Sequence, residues 1–174
     1  MKIEKVLNNN VIQALDNNVE YIVMGKGLGF QKRVGDLVDK EKIEKTFVLE
    51  NTEEVEEWSR VYVNFPDGEM QVFLNILTFA EAVLQTKFDP SFFIALADHL
   101  HYAIERNREG VSLQNPLAWE VRKFYPREYE IGKQALRLIA KDLEVQLSDD
   151  EAASVALHFV NAQKDAVSMK KTDR

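Results

Sequence analysis

Gly25-Lys26-Gly27-Leu28-Gly29-Phe30-Gln31-Lys32-Arg33 is the stretch on which the reading of this chain turns. Its nine residues hold three alternate glycines, one aromatic ring and three cations. Directly before it runs Val19-Glu20-Tyr21-Ile22-Val23-Met24, a β-branched and aromatic segment with the alternation of a strand. A glycine backbone enters positive φ and comes closer to a ligand than one bearing a Cβ. Lys26, Lys32 and Arg33 suit phosphate, and Phe30 offers a face on which an unpaired base stacks. The same residues also compose an ordinary glycine-bearing hairpin loop with solvated lysines. From composition alone both readings stand.

Upstream of the loop, residues 2–7 and 11–15 read as strands, separated by Asn8-Asn9-Asn10, a turn-prone triplet that tolerates left-handed φ. Asp16-Asn17-Asn18 marks a second tight turn, and residues 43–49 make a fourth strand. Four short antiparallel strands in fifty residues bury little apolar surface, so the module is expected to dimerise or to lean on a neighbour. After Leu49 the period changes to that of helices. Asn51-Thr52-Glu53-Glu54 and Ser148-Asp149-Asp150-Glu151 have the form of capping boxes, while Asp89-Pro90 and Asn115-Pro116 are cap-proline pairs. The spacing predicts helices over about 52–64, 69–87, 91–108, 116–125, 126–145 and 149–164, with a frayed tail at 168–174. The second of these places Val72, Ile76, Phe79, Ala80 and Val83 on one stripe. The fold class is therefore α+β with two domains: a four-stranded antiparallel β module, expected to be dimeric, and an all-α bundle.

The net charge of −7 hides an asymmetry. Residues 1–50 hold eight Lys/Arg and eight Asp/Glu, so the whole deficit lies in residues 51–174. Residues 1–35 have five basic residues against three acidic ones, a mildly positive face compatible with nucleic acid. Cysteine is absent, which excludes disulfides and thiolate metal sites. No apolar run has the length of a membrane span, and a cytoplasmic location is expected.

Enzyme motifs are missing. Gly25-x-Gly27-x-Gly29 falls one place short of G-x-G-x-x-G and opens no helix. There is no Walker lysine, no G-x-S-x-G and no H-E-x-x-H, so neither a cofactor nor a catalytic residue is expected. His99 and His101 are two apart and project about 200° from each other on a helix, which rules out one shared ion. His99 has Ala95 and Ala103 one turn away on either side, and His158 has Ser154 and Ala162. Such small neighbours leave a ring accessible to a phosphoryl donor or a partner. The alternative is a pair of helix-interface histidines with satisfied hydrogen bonds.

These residues resemble the BglG/SacY/LicT family of transcriptional antiterminators. Lys5-Val6-Leu7-Asn8-Asn9-Asn10-Val11, the run from Val23 to Arg33, and Ile43-Glu44-Lys45 are similar to its N-terminal RNA-binding (co-antiterminator) domain. Ala97-Asp98-His99, Ala103-Ile104-Glu105-Arg106, Asn115-Pro116-Leu117-Ala118-Trp119-Glu120 and Ala156-Leu157-His158-Phe159 are similar to its first PTS regulation domain. So are Phe124-Tyr125-Pro126 and Ile131-Gly132-Lys133-Gln134-Ala135-Leu136. The resemblance implies an RNA-binding domain at 1–50, a helical connector at 51–65 and one regulation domain at 66–174, without the second copy most members carry. It implies a homodimer that binds a leader-RNA hairpin and blocks the overlapping terminator upstream of sugar-utilisation genes. Lys5, Asn8, Asn10, Gly25, Lys26, Gly27, Phe30, Gln31 and Arg33 fall on the RNA-facing motif. His99 and His158 fall on the histidines phosphorylated by phosphotransferase-system proteins. Lys26 stands where many relatives have arginine, which replaces a bidentate contact by a point charge. Ala97 replaces a frequent threonine. A second reading, from the acidity of residues 51–174, is a phospho-regulatory protein-interaction module that binds no RNA.

Overall fold

The computed structural model describes residues 1–63 and 65–172; Asn64, the expected end of the first helix, and the last two residues of the expected tail lie outside them. The chain separates into two compact units, Met1–Leu74 and Asn75–Arg174.

In the first unit β1 (Lys2–Asn8), β2 (Val11–Asp16), β3 (Val19–Met24) and β4 (Lys45–Leu49) form one antiparallel sheet in the order β1-β2-β3-β4. The left-handed residues sit at the second hairpin, where Asn17 (φ 51°) and Asn18 (φ 66°) form the paired positive-φ turn that suits strand twist. At the first hairpin the turn is shaped differently: Asn8 Oδ1 accepts a 2.8 Å bond from the Asn10 N–H. β4 starts two residues later than the alternation predicts. A 3-10 turn at Lys40–Lys42 ends on Ile43, which packs into the core instead of pairing.

Val19–Met24 does not behave as a half-buried strand, because Ile22, Val23 and Met24 are all buried. At this end of the strand both faces of the sheet are covered. On one face Leu28 and Val38, from the long β3–β4 connection, join Ile3, Ile12, Ala14 and Val23. On the other, α1 (Thr52–Val63) supplies the fully buried Trp58, whose ring lies 5.4 Å from that of Phe47. The β module thus leans on its own helix. The same connection guards the β1 edge: Gly35 N–H donates to Ile3 O, Ile3 N–H to Asp36 O and Val38 N–H to Met1 O. At the α1 start Asn51 Oδ1 caps the Glu54 N–H (2.9 Å), and the Glu54 carboxylate reaches back to the Glu50 N–H, one residue before the cap.

α2 (Asp67–Leu84) runs through the division between the units. It stops at Leu84 because Gln85 turns left-handed (φ 51°). Phe79, expected on its buried stripe, is exposed, and Phe73 and Leu77 are buried instead. The second unit continues with α3 (Pro90–Arg108), α4 (Ala118–Phe124), α5 (Pro126–Leu143) and α6 (Asp149–Thr172). Asp89 caps α3 through a 2.8 Å bond from the Phe92 N–H. Its far end closes with bonds from Gly110 N–H to Asn107 O and from Val111 N–H to Arg106 O, with Gly110 at φ 81°.

Asn115-Pro116 does not start α4. Asn115 Oδ1 instead turns the chain by accepting the Leu117 N–H (2.8 Å), and the helix begins at Ala118. Ser148 does not cap α6 either, since its Oγ is buried without a hydrogen bond. α6 carries on to Thr172, past the expected end near Lys164. Residues 149–172 contain neither glycine nor proline. α5 and α6 pack closely at Gly132, where a Cβ would collide with the Ala152 carbonyl.

Replacing Asp89 by Ala removes the α3 cap without touching the core. The expected loss is about 1 kcal/mol of stability, measured by urea unfolding of the full chain, with no change in helical content.

Candidate nucleic-acid interface and histidine cluster

The glycine loop is held by the first hairpin. Gly25 N–H donates to Asn10 O (2.9 Å), Gly27 N–H to Asn10 Oδ1 (2.8 Å) and Gly29 N–H to Asn9 O (2.8 Å). Every alternate glycine therefore bonds to the asparagine turn. The glycine carbonyls then open three successive turns, accepting from Leu28, Phe30 and Lys32 N–H respectively. A Cβ at Gly25 would run into the Lys42 carbonyl, so only glycine fits there. Gly27 faces open space but sits at φ 72°, a conformation costly for a side-chain-bearing residue.

These turns separate the loop side chains. Leu28 is fully buried and anchors the loop in the sheet core, whereas Phe30, two residues on, is 56% exposed. Lys26, Gln31 and Arg33 are exposed beside it, Gln31 at φ 57°. Arg33 N–H is tied to Asp36 Oδ2 at 2.8 Å, which leaves the guanidinium to project from a fixed backbone. The structure thus brings Asn8, Asn10, Gly25, Gly27, Phe30, Gln31 and Arg33 into one interlocked loop pair. Lys5 is apart from these contacts: its Nζ donates to Ser59 Oγ of α1 at 3.2 Å. Leu28 and Asp36, which make the loop rigid, escaped the sequence reading, although a lone leucine between glycines is a recognisable anchor signal.

His99 on α3 and His158 on α6 face each other with ring centroids 4.8 Å apart. His99 Nε2 lies 3.1 Å from Glu151 Oε2, and Arg106 sits 3.8 Å from the other Glu151 oxygen. His99 and Arg106 are seven apart on α3, as are Glu151 and His158 on α6, so two helical turns place each pair on one face. Glu151, expected in a capping box, instead points into this cluster. The i,i+7 spacing of Glu151 to His158 was the signal that could have found it. The His99 side chain is 22% exposed. His158 lines a cavity of about 400 Å³ with Lys87, Phe88, Phe92 and Asn161. Burial, and then the charge of His99, pull the His158 pKa from 6.5 down to about 4. His101 lies against Tyr102 at 5.5 Å between ring centroids.

A small antiparallel sheet carrying a cationic, aromatic loop is thus followed by helices that bring two histidine rings together. Residues 1–56 match the CAT RNA binding domain and residues 74–162 match the PRD domain, and the chain belongs to this family, as its sequence resemblance implied. It is 42% identical to the transcription antiterminator LicT of Bacillus subtilis (strain 168) over 94% of its length, and 45% identical to the beta-glucoside operon antiterminator of Dickeya chrysanthemi over 95%. It spans 59% of the length of each of these relatives. The crystal structure of GlcT CAT-PRDI superposes with a TM-score of 0.83 at 29% identity, covering 92% of this chain and 96% of that one. That likeness bears out the four-stranded sheet followed by helices.

Because folded His158 takes up its proton only near pH 4, while an unfolded histidine does so near 6.5, the unfolded chain binds the extra proton between these values. This contribution to stability is complete above pH 6.5 and is lost as the pH falls to about 4. Thermal unfolding across that window should show a shallower dependence on pH for His158→Gln than for the parent chain. Parallel curves would contradict the buried, neutral imidazole.

Proposed function

We propose that the chain is a transcriptional antiterminator of the RNA-binding kind, acting in the cytoplasm and performing no catalysis. Residues 1–50 form its RNA-binding domain, 51–65 the connector and 66–174 the regulation domain. As a homodimer it binds a partly paired hairpin of a leader transcript and keeps the overlapping terminator from forming. Phe30 stacks on an unpaired base; Lys26, Arg33 and Lys5 hold phosphates; Gln31 offers an amide to a base edge. Asn8 and Asn10 contribute through the loop they hold, since their Oδ1 atoms accept backbone N–H groups. Phosphotransferase-system proteins transfer phosphoryl groups to His99 and His158. Each phosphoryl adds up to about two negative charges between α3 and α6 and so biases the dimer.

The observation that carries this reading is the exposed Phe30 ring on a loop pinned at both ends, in a domain matched to the CAT RNA binding domain. The names of the relatives, both antiterminators, support it. Among the described residues no helix is long and apolar enough to cross a membrane.

The test is a gel-shift titration against a leader-type hairpin with two internal loops, beside a fully paired control. Selective binding that weakens steeply with salt is expected. Phe30→Ala should lower affinity by about 1–3 kcal/mol, roughly 5- to 150-fold, at unchanged thermal stability. Equal affinity of parent and variant would remove Phe30 from the interface, and equal or absent binding to both RNAs would favour the interaction-module reading.

A further inference from the structure

We propose that Glu151 selects the nitrogen of His99 that accepts a phosphoryl group, holding the neutral ring protonated at Nε2 and leaving the Nδ1 lone pair as the nucleophile. This rests on the reading of His99 as a phospho-acceptor and names the atom and the positioning residue for it.

His99 Nε2 lies 3.1 Å from Glu151 Oε2. A carboxylate only accepts hydrogen bonds, so the proton of this pair belongs to Nε2. A neutral imidazole carries one ring proton, and the bond made by one nitrogen fixes the state of the other. Glu151 is well placed to impose this. It is buried, it stands in the first turn of α6, and its second oxygen faces Arg106 at 3.8 Å. His158, whose ring faces that of His99, is neutral at pH 7, its pKa held at about 4 chiefly by burial. It therefore sets no competing charge beside the Glu151 carboxylate.

In the transfer step the Nδ1 lone pair attacks the phosphorus of a phosphohistidine on a carrier protein. The donor's N–P bond breaks, and its electron pair returns to the donor imidazole. The Nδ1–P bond forms on His99 while the Nε2 proton stays on the ring, facing Glu151. The positive charge that develops on the ring is matched by that carboxylate, as in a carboxylate–histidine dyad. A phosphoryl on Nε2 would instead expel this hydrogen bond and set two anions against each other.

Two readouts on the full chain test this. Long-range ¹H–¹⁵N correlation of the imidazoles, assigned with His99→Asn, should show His99 protonated at Nε2 above pH 7. Glu151→Ala should reduce the tautomer preference from more than about tenfold to near even, and Glu151→Gln, whose amide oxygen still accepts, should restore part of it. The chain is then phosphorylated with a phosphohistidine carrier protein of the phosphotransferase system, and ³¹P–¹H correlations locate the phosphoryl group. A phosphoryl on His99 Nδ1 in the parent chain, and a mixture of nitrogens in Glu151→Ala, support the proposal. A phosphoryl on Nε2, or a parent ring protonated at Nδ1, overturns it and leaves the phospho-acceptor reading intact. The expected tautomer with no uptake at His99 overturns the phospho-acceptor reading, and this inference with it.

Discussion

The first unit depends on the hydrogen bonding between the asparagine hairpin and the glycine loop. Three N–H groups of Gly25, Gly27 and Gly29 converge on Asn9 and Asn10, each within 2.9 Å. Backbone donors left unpaired in a loop this close to a sheet would each cost about 1–3 kcal/mol, so the asparagine turn is what permits the loop to lie down. The three successive turns that these glycines open do the rest, sending Leu28 into the core while Lys26 stays on the surface. Phe30 follows the last glycine, so its exposure is imposed by the backbone below it.

A comparable constraint organises the second unit. Seven-residue spacing on α3 and on α6 stacks a charged partner two turns from each histidine. The helices bring Glu151 to the ring of His99 while Arg106 faces the same carboxylate. The Gly110 closure of α3 and the Asn115 links to α6 set the chain around this cluster. Asn115 N–H donates to Asp150 Oδ2 at 2.9 Å and its Nδ2 to Ser154 Oγ at 2.9 Å. Asp150 and Ser154 flank Glu151 in sequence, so the segment 111–117 and the cluster are anchored on the same turns of α6.

Much of this was legible in the sequence, for local reasons. The asparagine and glycine turns, the cap at Asp89 and the change of period after Leu49 are set by residues close in the chain, and they appear where the pattern placed them. Errors arose where a distant partner won. Ser148-Asp149-Asp150-Glu151 has the form of a capping box, yet the glutamate gains more from a histidine and an arginine on another helix than from its own N-terminus. Val19–Met24 alternates, but the buried Leu28 and Trp58 cover opposite faces, so polarity along the strand did not report its burial. Phe79 fits a helical stripe whose Val72, Ile76 and Ala80 are buried and is nevertheless exposed, while Phe73 and Leu77 beside that stripe are buried as well. The anchoring of Lys5 on Ser59 is likewise a contact 54 residues away in sequence.

The most direct test of the account is a residue-resolved footprint. A ¹⁵N-labelled full chain is titrated with the two-loop RNA hairpin, and amide shifts are followed at every stage. The interlocked loop pair predicts that the largest early changes fall on residues 8–10 and 25–33, with the Phe30 ring protons shifting alongside. Changes centred on α3 and α6 with residues 25–33 silent would contradict it, and would place the RNA on the helical unit.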